Sequence, residues 1–222
     1  MATDNLLDGV LTDYPRLRGK LLNFCADYGL LEKPAVIWQC HPTTALEVNV
    51  SDKAVREAIE AGAPETESNG WWHGFRSGRR SSPIFDGVAA CSAADEQGWM
   101  SEFHTDGHVI GGLWRFPDSQ VRDGSSSLLL SNFHRNAFHD FASLANRLSS
   151  LFDQSNPCLV TCTLINSDQI RFSRERHPYA STKVTRRFLQ WRVRAAKDAS
   201  ERTAAYDLMA VELVRAFGNW PL

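Results

Sequence analysis

The apolar residues between Leu128 and Phe152 recur with the period of an α-helix. They occupy positions 130, 133, 137, 138, 141, 144, 148, 151 and 152, which is the i, i+3, i+4, i+7 spacing of one helix face. Polar residues at 123–127 precede the stretch and Pro157 follows it, as expected at the two ends of a helix. An apolar face this wide needs a sheet to cover. The stretch therefore predicts a long central core helix.

Most of the remaining apolar segments have the length and composition of strands. Strands are predicted at 35–40, 46–50, 84–91 and 158–166, with 170–172 continuing the sheet and the alternation within 182–194 favouring one more. Asp106-Gly107, between 98–105 and 108–116, predicts an antiparallel hairpin. Gly111-Gly112 in the second arm indicates a bulge or a close approach of another backbone.

Three further helices are predicted, at 14–29, 51–62 and 200–218, with Ser51 and Ser200 as N-caps and glycines at the C-terminal ends. Strands outnumber helices and the two do not alternate regularly. The predicted class is therefore α+β, with a mainly antiparallel sheet, the long central helix, and a C-terminal helix packed on it. The length favours a single domain over 1–222, with a long loop at 63–83.

Composition excludes several classes of protein and leaves others open. The net charge of −2 gives no global sign of nucleic-acid or membrane binding, and no apolar run approaches the ~20 residues of a membrane helix. The first twenty residues lack the pattern of a signal peptide, and the five cysteines are odd in number and widely spread, so we expect a cytoplasmic protein. The chain has no nucleotide-binding fingerprint and no GxSxG elbow. We therefore predict no cofactor and lean towards a non-enzymatic role.

The predicted loop contains an unusual mixture of aromatic and basic residues, GWWHGFRSGRR at 70–80. Aromatic faces with interleaved arginines are typical of proteins that stack bases and contact phosphates. We take Trp71, Trp72, Phe75, Arg76, Arg79 and Arg80 as candidate ligand or nucleic-acid contacts. Two alternatives stay open. The aromatic residues could instead fold back over the core, or the loop could anchor a protein partner or a second copy of the chain in an oligomer, since Trp and Arg are common hot-spot residues.

A second candidate is the basic segment from Arg171 to Arg202. It holds ten Lys/Arg residues and three acidic ones, a local charge of +7 in a chain of −2. A basic stripe is an electrostatic footprint for phosphate backbones, and we expect Arg186 and Arg187 to contact phosphate. A solvated face or a surface for a protein partner is an equally good interpretation of the charge.

One enzymatic alternative concerns His104, Asp106 and His177. Their order, with Arg186 or Arg187 downstream, imitates the HxD…H facial triad and distal arginine of iron/oxoglutarate oxygenases. Asp106, however, is the first residue of the Asp-Gly turn, where an aspartate bonds its own backbone. The turn interpretation is favoured, and no metal site is expected.

Four segments together resemble a known family: EFHTDGHVIGG, PCLVTCTLINSDQIRF, GWWHGFRSGRRSSPIFDGV and DLMAVELVRAFGNW. They are similar to the C-terminal region of bacterial Schlafen-type, AlbA-like DNA-binding proteins, over roughly 34–220. The AlbA-like part that carries the nucleic-acid or ATP function in those proteins has no counterpart among these residues. The resemblance therefore implies an accessory or sensing domain and carries over no catalytic residue.

Overall fold

The computed structural model describes residues 9–44, 46–61, 79–92, 98–114, 127–152, 156–173 and 184–218. The helices of this part are α1 (Pro15–Asp27), α2 (Lys53–Glu60), α3 (Ser131–Ser149) and α4 (Ala199–Ala216). The strands are β1 (Ala35–Pro42), β2 (Arg79–Ile84), β3 (Gly87–Ser92), β4 (Trp99–His104), β5 (Val109–Leu113), β6 (Ser127–Leu130), β7 (Cys158–Ile165), β8 (Ile170–Ser173), β9 (Phe188–Gln190) and β10 (Arg194–Ala196). No helix of the described part is long and apolar enough to cross a membrane.

Eight strands form one antiparallel sheet in the order β10-β7-β1-β5-β4-β3-β2, with β9 also pairing with β7. Strands β6 and β8 pair with each other in parallel. The α+β class with a mainly antiparallel sheet is thus confirmed. Residues 170–173 extend this small second sheet, so the prediction that they continue the main sheet was wrong.

Helices α3 and α4 cover one face of the sheet, as predicted for the central and C-terminal helices. Trp38 of β1 contacts Phe138 and Phe141 of α3, with ring centroids 5.3 and 6.0 Å apart. Phe141 in turn packs edge-on against Tyr206 of α4 at 5.3 Å. The helix begins at 131 and not at 128, because 127–130 form β6 and satisfy their backbone groups by pairing with β8.

Helix α1 lies on the opposite face and forms a second, smaller core with β1, β5 and β7. Its approach to the sheet depends on Gly112 of β5. A Cβ built at Gly112 would lie 2.5 Å from Cε1 of Phe24, so only glycine leaves room for the ring. The bulge or close backbone approach predicted for Gly111-Gly112 was wrong: the pairing with β1 and β4 runs through both glycines without a bulge, and the group that approaches Gly112 is an aromatic side chain.

The Asp106-Gly107 hairpin joins β4 and β5, as predicted. Its turn is closed by a bond from the Gly107 N–H to the His104 carbonyl at 2.9 Å, and Gly107 has a φ of +79°. The left-handed conformation is the one that this type of loop requires of its last residue, which explains the glycine.

Several boundaries differ from those predicted. The loop predicted at 63–83 is wrong at its end, since 79–83 belong to β2, while 63–78 lie outside the described residues. The strand predicted at 84–91 is the turn and second arm of the β2–β3 hairpin, and 46–50 form no strand. The helix caps are Asp52 and Asp198, whose carboxylates accept backbone N–H groups, in place of the neighbouring serines.

Candidate functional site: an arginine groove at one edge of the sheet

The edge of the sheet formed by β9 and β10 contains a bulge. Gln190 is opposite Thr163, but Arg194 is opposite Val160, so three residues of this edge (191–193) face two of β7. One extra residue changes which side of the sheet the following side chains face. Trp191 turns into the core at 6% exposure, whereas Arg192 next to it is exposed. Of the strand favoured for 182–194, only 188–190 and 194 lie in strands; 184–187 and 191–193 do not, and 182–183 lie outside the described residues.

The chain before β9 is held by the short helical turn Ser167–Gln169. The Ser167 hydroxyl donates to the carbonyl of Arg186 at 2.5 Å, and the Ser167 N–H donates to the carbonyl of Arg187 at 2.9 Å. Nε of Arg187 donates to Oδ1 of Asn166 at 3.0 Å. These bonds fix the backbone at 186–187, and the side chain of Arg186 reaches the groove described next.

A groove of about 440 Å³ lies between this edge and the C-terminal half of α4. It is lined by Arg186, Phe188, Leu189, Gln190, Trp191, Arg192, Arg194, Glu212 and Ala216. Nη2 of Arg194 donates to Oε1 of Glu212 at 2.7 Å, which holds that guanidinium at the wall. Among the described residues, no ion pair involves Arg186 or Arg192.

The charge balance of the groove is positive. Three guanidinium groups face one carboxylate. The C-terminal end of α4, at Ala216, adds roughly half a negative charge from the helix dipole. The net charge stays near +1.5, so an anion is the ligand that this groove favours.

The structure places Arg80 far from the other predicted arginines, Arg186 and Arg187. Arg186 and Arg187 lie at the β9 edge, and Arg80 is an exposed residue of β2, the strand at the other edge. Six inter-strand spacings put these edges about 29 Å apart. Arg79 begins β2, while Trp71, Trp72, Phe75 and Arg76 lie outside the described residues. The groove also contains Arg192 and Arg194. Both were counted in the charge of the basic segment but were not predicted as phosphate contacts.

The alternative iron site is only partly within the described chain, because His177 lies outside it. Oδ1 of Asp106 accepts the N–H of His108 at 3.1 Å, as the turn interpretation predicts. Both ring nitrogens of His104 are taken up by carboxylates, described below. Within the described residues no group of three His, Cys, Asp or Glu side chains is arranged to hold a metal ion.

A partly buried polar network connects α1 to the sheet. Nδ1 of His104 lies 2.9 Å from Oδ1 of Asp86, and its Nε2 lies 3.0 Å from Oε2 of Glu102. The other oxygens of the two carboxylates accept from Nζ of Lys20 at 2.5 Å and from the hydroxyl of Tyr28 at 2.7 Å. Basic and acidic groups therefore alternate from Lys20 to Glu102. Lys20 of α1 and Tyr28, the residue directly after α1, form the two ends of the network.

His41 and His108 extend this network along the sheet. Their Nδ1 atoms are 3.1 Å apart, so one ring donates to the other. Burial lowers the pKa of both rings, and His104, His41 and Lys20 lower that of His108 further. Because its three histidines and Glu102 are buried, the network fastens α1 to the sheet. The network could have been found in the sequence from the polar residues that stand at alternate positions of otherwise apolar strands.

No family model matches the chain, and no match was found among curated proteins or solved structures. The resemblance to Schlafen-type, AlbA-like proteins therefore stays a prediction.

Proposed function

We propose that the protein is a binding module for a phosphate-bearing ligand, a nucleotide or a single-stranded segment of nucleic acid. The observation that carries the proposal is the arginine groove, in which Arg186, Arg192 and Arg194 surround a space of about 440 Å³ with one carboxylate among them. Guanidinium groups bind phosphate oxygens through paired, charge-assisted hydrogen bonds.

The walls of the groove favour a ligand with an apolar part beside the phosphate. Phe188 and Leu189 are half-buried and line the same space as the arginines. An aromatic ring beside arginines is the combination used to stack a base and hold its phosphate. The volume lies within the usual range for sites of small ligands.

The test is fluorescence anisotropy with a labelled single-stranded oligonucleotide and the matching duplex at several salt concentrations. We expect Arg186→Ala and Arg192→Ala each to weaken single-strand binding about tenfold, as the removal of one charge-assisted hydrogen bond does. The slope of log K against log[salt] should fall by about 0.7 for each phosphate that is no longer neutralised. Arg56→Ala, at an exposed position of α2, is the matched control and should change neither value.

Glu212→Gln tests the sign of the effect. Removing this carboxylate frees Arg194 and raises the local positive charge, so binding should tighten several-fold. Affinity that is unchanged in both arginine variants and in Glu212→Gln would refute the groove as the site.

The two other candidate functions have less support. Phe85, in the β2–β3 turn, is fully exposed, but a single exposed aromatic residue does not define a protein interface. The oxygenase alternative still needs His177. Metal analysis of protein purified without oxygen tests it directly, and a protein that binds iron in a 1:1 ratio would favour it over the binding module.

A further inference from the structure

Arg202, in the first turn of α4, carries a buried positive charge. Its side chain is 2% exposed, and its Nε donates to Oδ1 of Asn146 on α3 at 2.7 Å. Among the described residues no carboxylate lies within ion-pair distance of it. Nη1 instead points at the sulfur of Cys158, 3.8 Å away. A buried charge is costly unless an opposite charge compensates it, and the Cys158 thiol is the neighbour that can become an anion.

A second thiol lies beside Cys158. In the β1–β7 register, Pro42 is opposite Cys158 and Cys40 is opposite Val160. Cys40 and Cys158 therefore project from the same face of neighbouring strands, towards α4. They are diagonal neighbours, since each lies two residues along its strand from the residue opposite the other. As a thiol, Cys158 donates to the carbonyl of Asn156 at 3.7 Å. As a thiolate, it accepts from Cys40 and Arg202.

The acidities of the thiols follow from these contacts. The bond from Cys40, together with the Arg202 guanidinium, lowers the pKa of Cys158 from 9.0 to about 7 against the opposing effect of burial. The pKa of Cys40 is raised well above 9.0, first by its bond to Cys158. Burial also raises the pKa of Cys25, to about 12, and that of Cys162. The contact with Arg202 and the lowered pKa thus identify the same sulfur, that of Cys158.

We propose that Cys158 is a site of reversible oxidation by small peroxides, with Arg202 as the counter-ion of its thiolate and Cys40 as the resolving thiol. The Cys158 thiolate attacks one peroxide oxygen, so the O–O bond breaks, and Cys158 sulfenic acid and hydroxide form. The Cys40 thiol then condenses with the sulfenic acid and releases water. In total, two thiols and one hydrogen peroxide give one disulfide and two water molecules.

The burial of Cys158 limits which oxidants can reach its sulfur. Cys158 is 3% exposed, so a bulky aromatic disulfide reagent cannot reach it in the folded protein, whereas hydrogen peroxide is barely larger than water. The oxidised pair would join β1 to β7 next to the first turn of α4. This inference is independent of the arginine groove.

The test treats the reduced full-length protein, carrying Cys91→Ser to remove the more exposed thiol, with a small excess of hydrogen peroxide. Peptide mass spectrometry should show a loss of two hydrogens linking Cys40 to Cys158, with Cys25 and Cys162 still reduced. Adding Cys40→Ser should stop the reaction at the sulfenic acid, which dimedone captures at Cys158. Oxidation that begins at Cys25 or Cys162 would overturn the proposal.

Two variants test the role of Arg202. Arg202→Met keeps most of the volume and removes the charge, and Asn146→Asp keeps the arginine but places a carboxylate against it. With Arg202 absent or neutralised, the pKa of Cys158 should rise, because burial then opposes only the bond from Cys40, and the thiolate fraction at pH 7 should fall. Oxidation at neutral pH should slow several-fold, with the pH profile displaced upwards.

Asn146→Asp keeps the test decisive if Arg202→Met does not fold. An unchanged pH profile in folded Asn146→Asp protein would rule out Arg202 as the counter-ion.

Discussion

At the scale of single residues, His108 shows how the tertiary structure changes the chemistry of a side chain. Its ring is fully buried between α1 and the sheet, and its Nε2 has no hydrogen-bond partner within the described part of the chain. The groups that face the rings of His108 and His41 are mostly basic: Arg16 and Lys20 from α1, His104 from β4, and Asp106 from the turn. The folded protein therefore keeps the ring of His108 neutral.

This predicts a loss of stability in mild acid. The pKa of His108 is lowered well below 6.5, so the unfolded chain takes up the proton first as the pH falls. The stabilising contribution of the neutral ring is present above 6.5 and is lost below it, at up to about 1.4 kcal/mol per pH unit. His41 acts in the same direction.

Urea unfolding at a series of pH values from about 5 to 7.5 measures the effect. His108→Asn keeps a polar atom near the position of Nδ1 but does not titrate, so the loss of stability with acid should be shallower. His139→Asn, at a half-buried position of α3, is the control. An acid slope as steep in His108→Asn as in the parent protein would contradict the assignment.

At the scale of elements, strand β2 shows how the free edge of the sheet is protected. The N–H of Ser81 points away from β3 and donates to Oε1 of Glu60 on α2 at 3.0 Å, and the Ser81 hydroxyl donates to the same oxygen. Two residues further on, Pro83 has no N–H to offer. An edge without free donors is a poor template for another strand.

Glu60→Leu should therefore promote self-association through β2, because it leaves the Ser81 N–H free on an exposed edge. Light scattering over a range of protein concentrations measures the change. Glu60→Gln retains a carbonyl oxygen at the acceptor position and should stay close to the parent. Equal scattering by the leucine variant and the parent would mean that other features protect this edge.

At the scale of the whole molecule, one sheet carries a core on each face. Alternate residues of β1 belong to different cores: Trp38 packs with α3, and Ile37 packs with α1. Because the same strands belong to both cores, loss of either layer exposes apolar surface on the shared sheet. We expect the two layers to unfold together.

Substitutions in each layer test this coupling. Phe24→Ala on α1 and Phe141→Ala on α3 each remove a buried ring and should cost about 3–5 kcal/mol. Both variants should still unfold in one transition, with far-UV circular dichroism and tryptophan fluorescence changing together. Leu208→Ala, at an exposed position of α4, should change stability by less than about 0.5 kcal/mol. An early, separate transition in Phe24→Ala would show that α1 unfolds independently.

Local sequence patterns were enough to predict the elements whose apolar period is long or whose turn chemistry is specific. The core helix is visible from its period, and the β4–β5 hairpin from Asp106-Gly107, because both signals depend on neighbouring residues. The class, the central helix and the strand at 158–165 followed from such local patterns.

Which distant residues meet is known only from the folded structure. Strand β6 pairs with β8, which begins forty residues further along the chain. It does so although the apolar residues around β6 have the spacing of a helix. The bulge that brings Arg192 and Arg194 to one groove depends on the register with β7. Likewise, the composition of the chain could not link Arg202 to Cys158. Each of these contacts is long-range, and a local pattern carries no information on which distant partner a side chain meets in the folded protein.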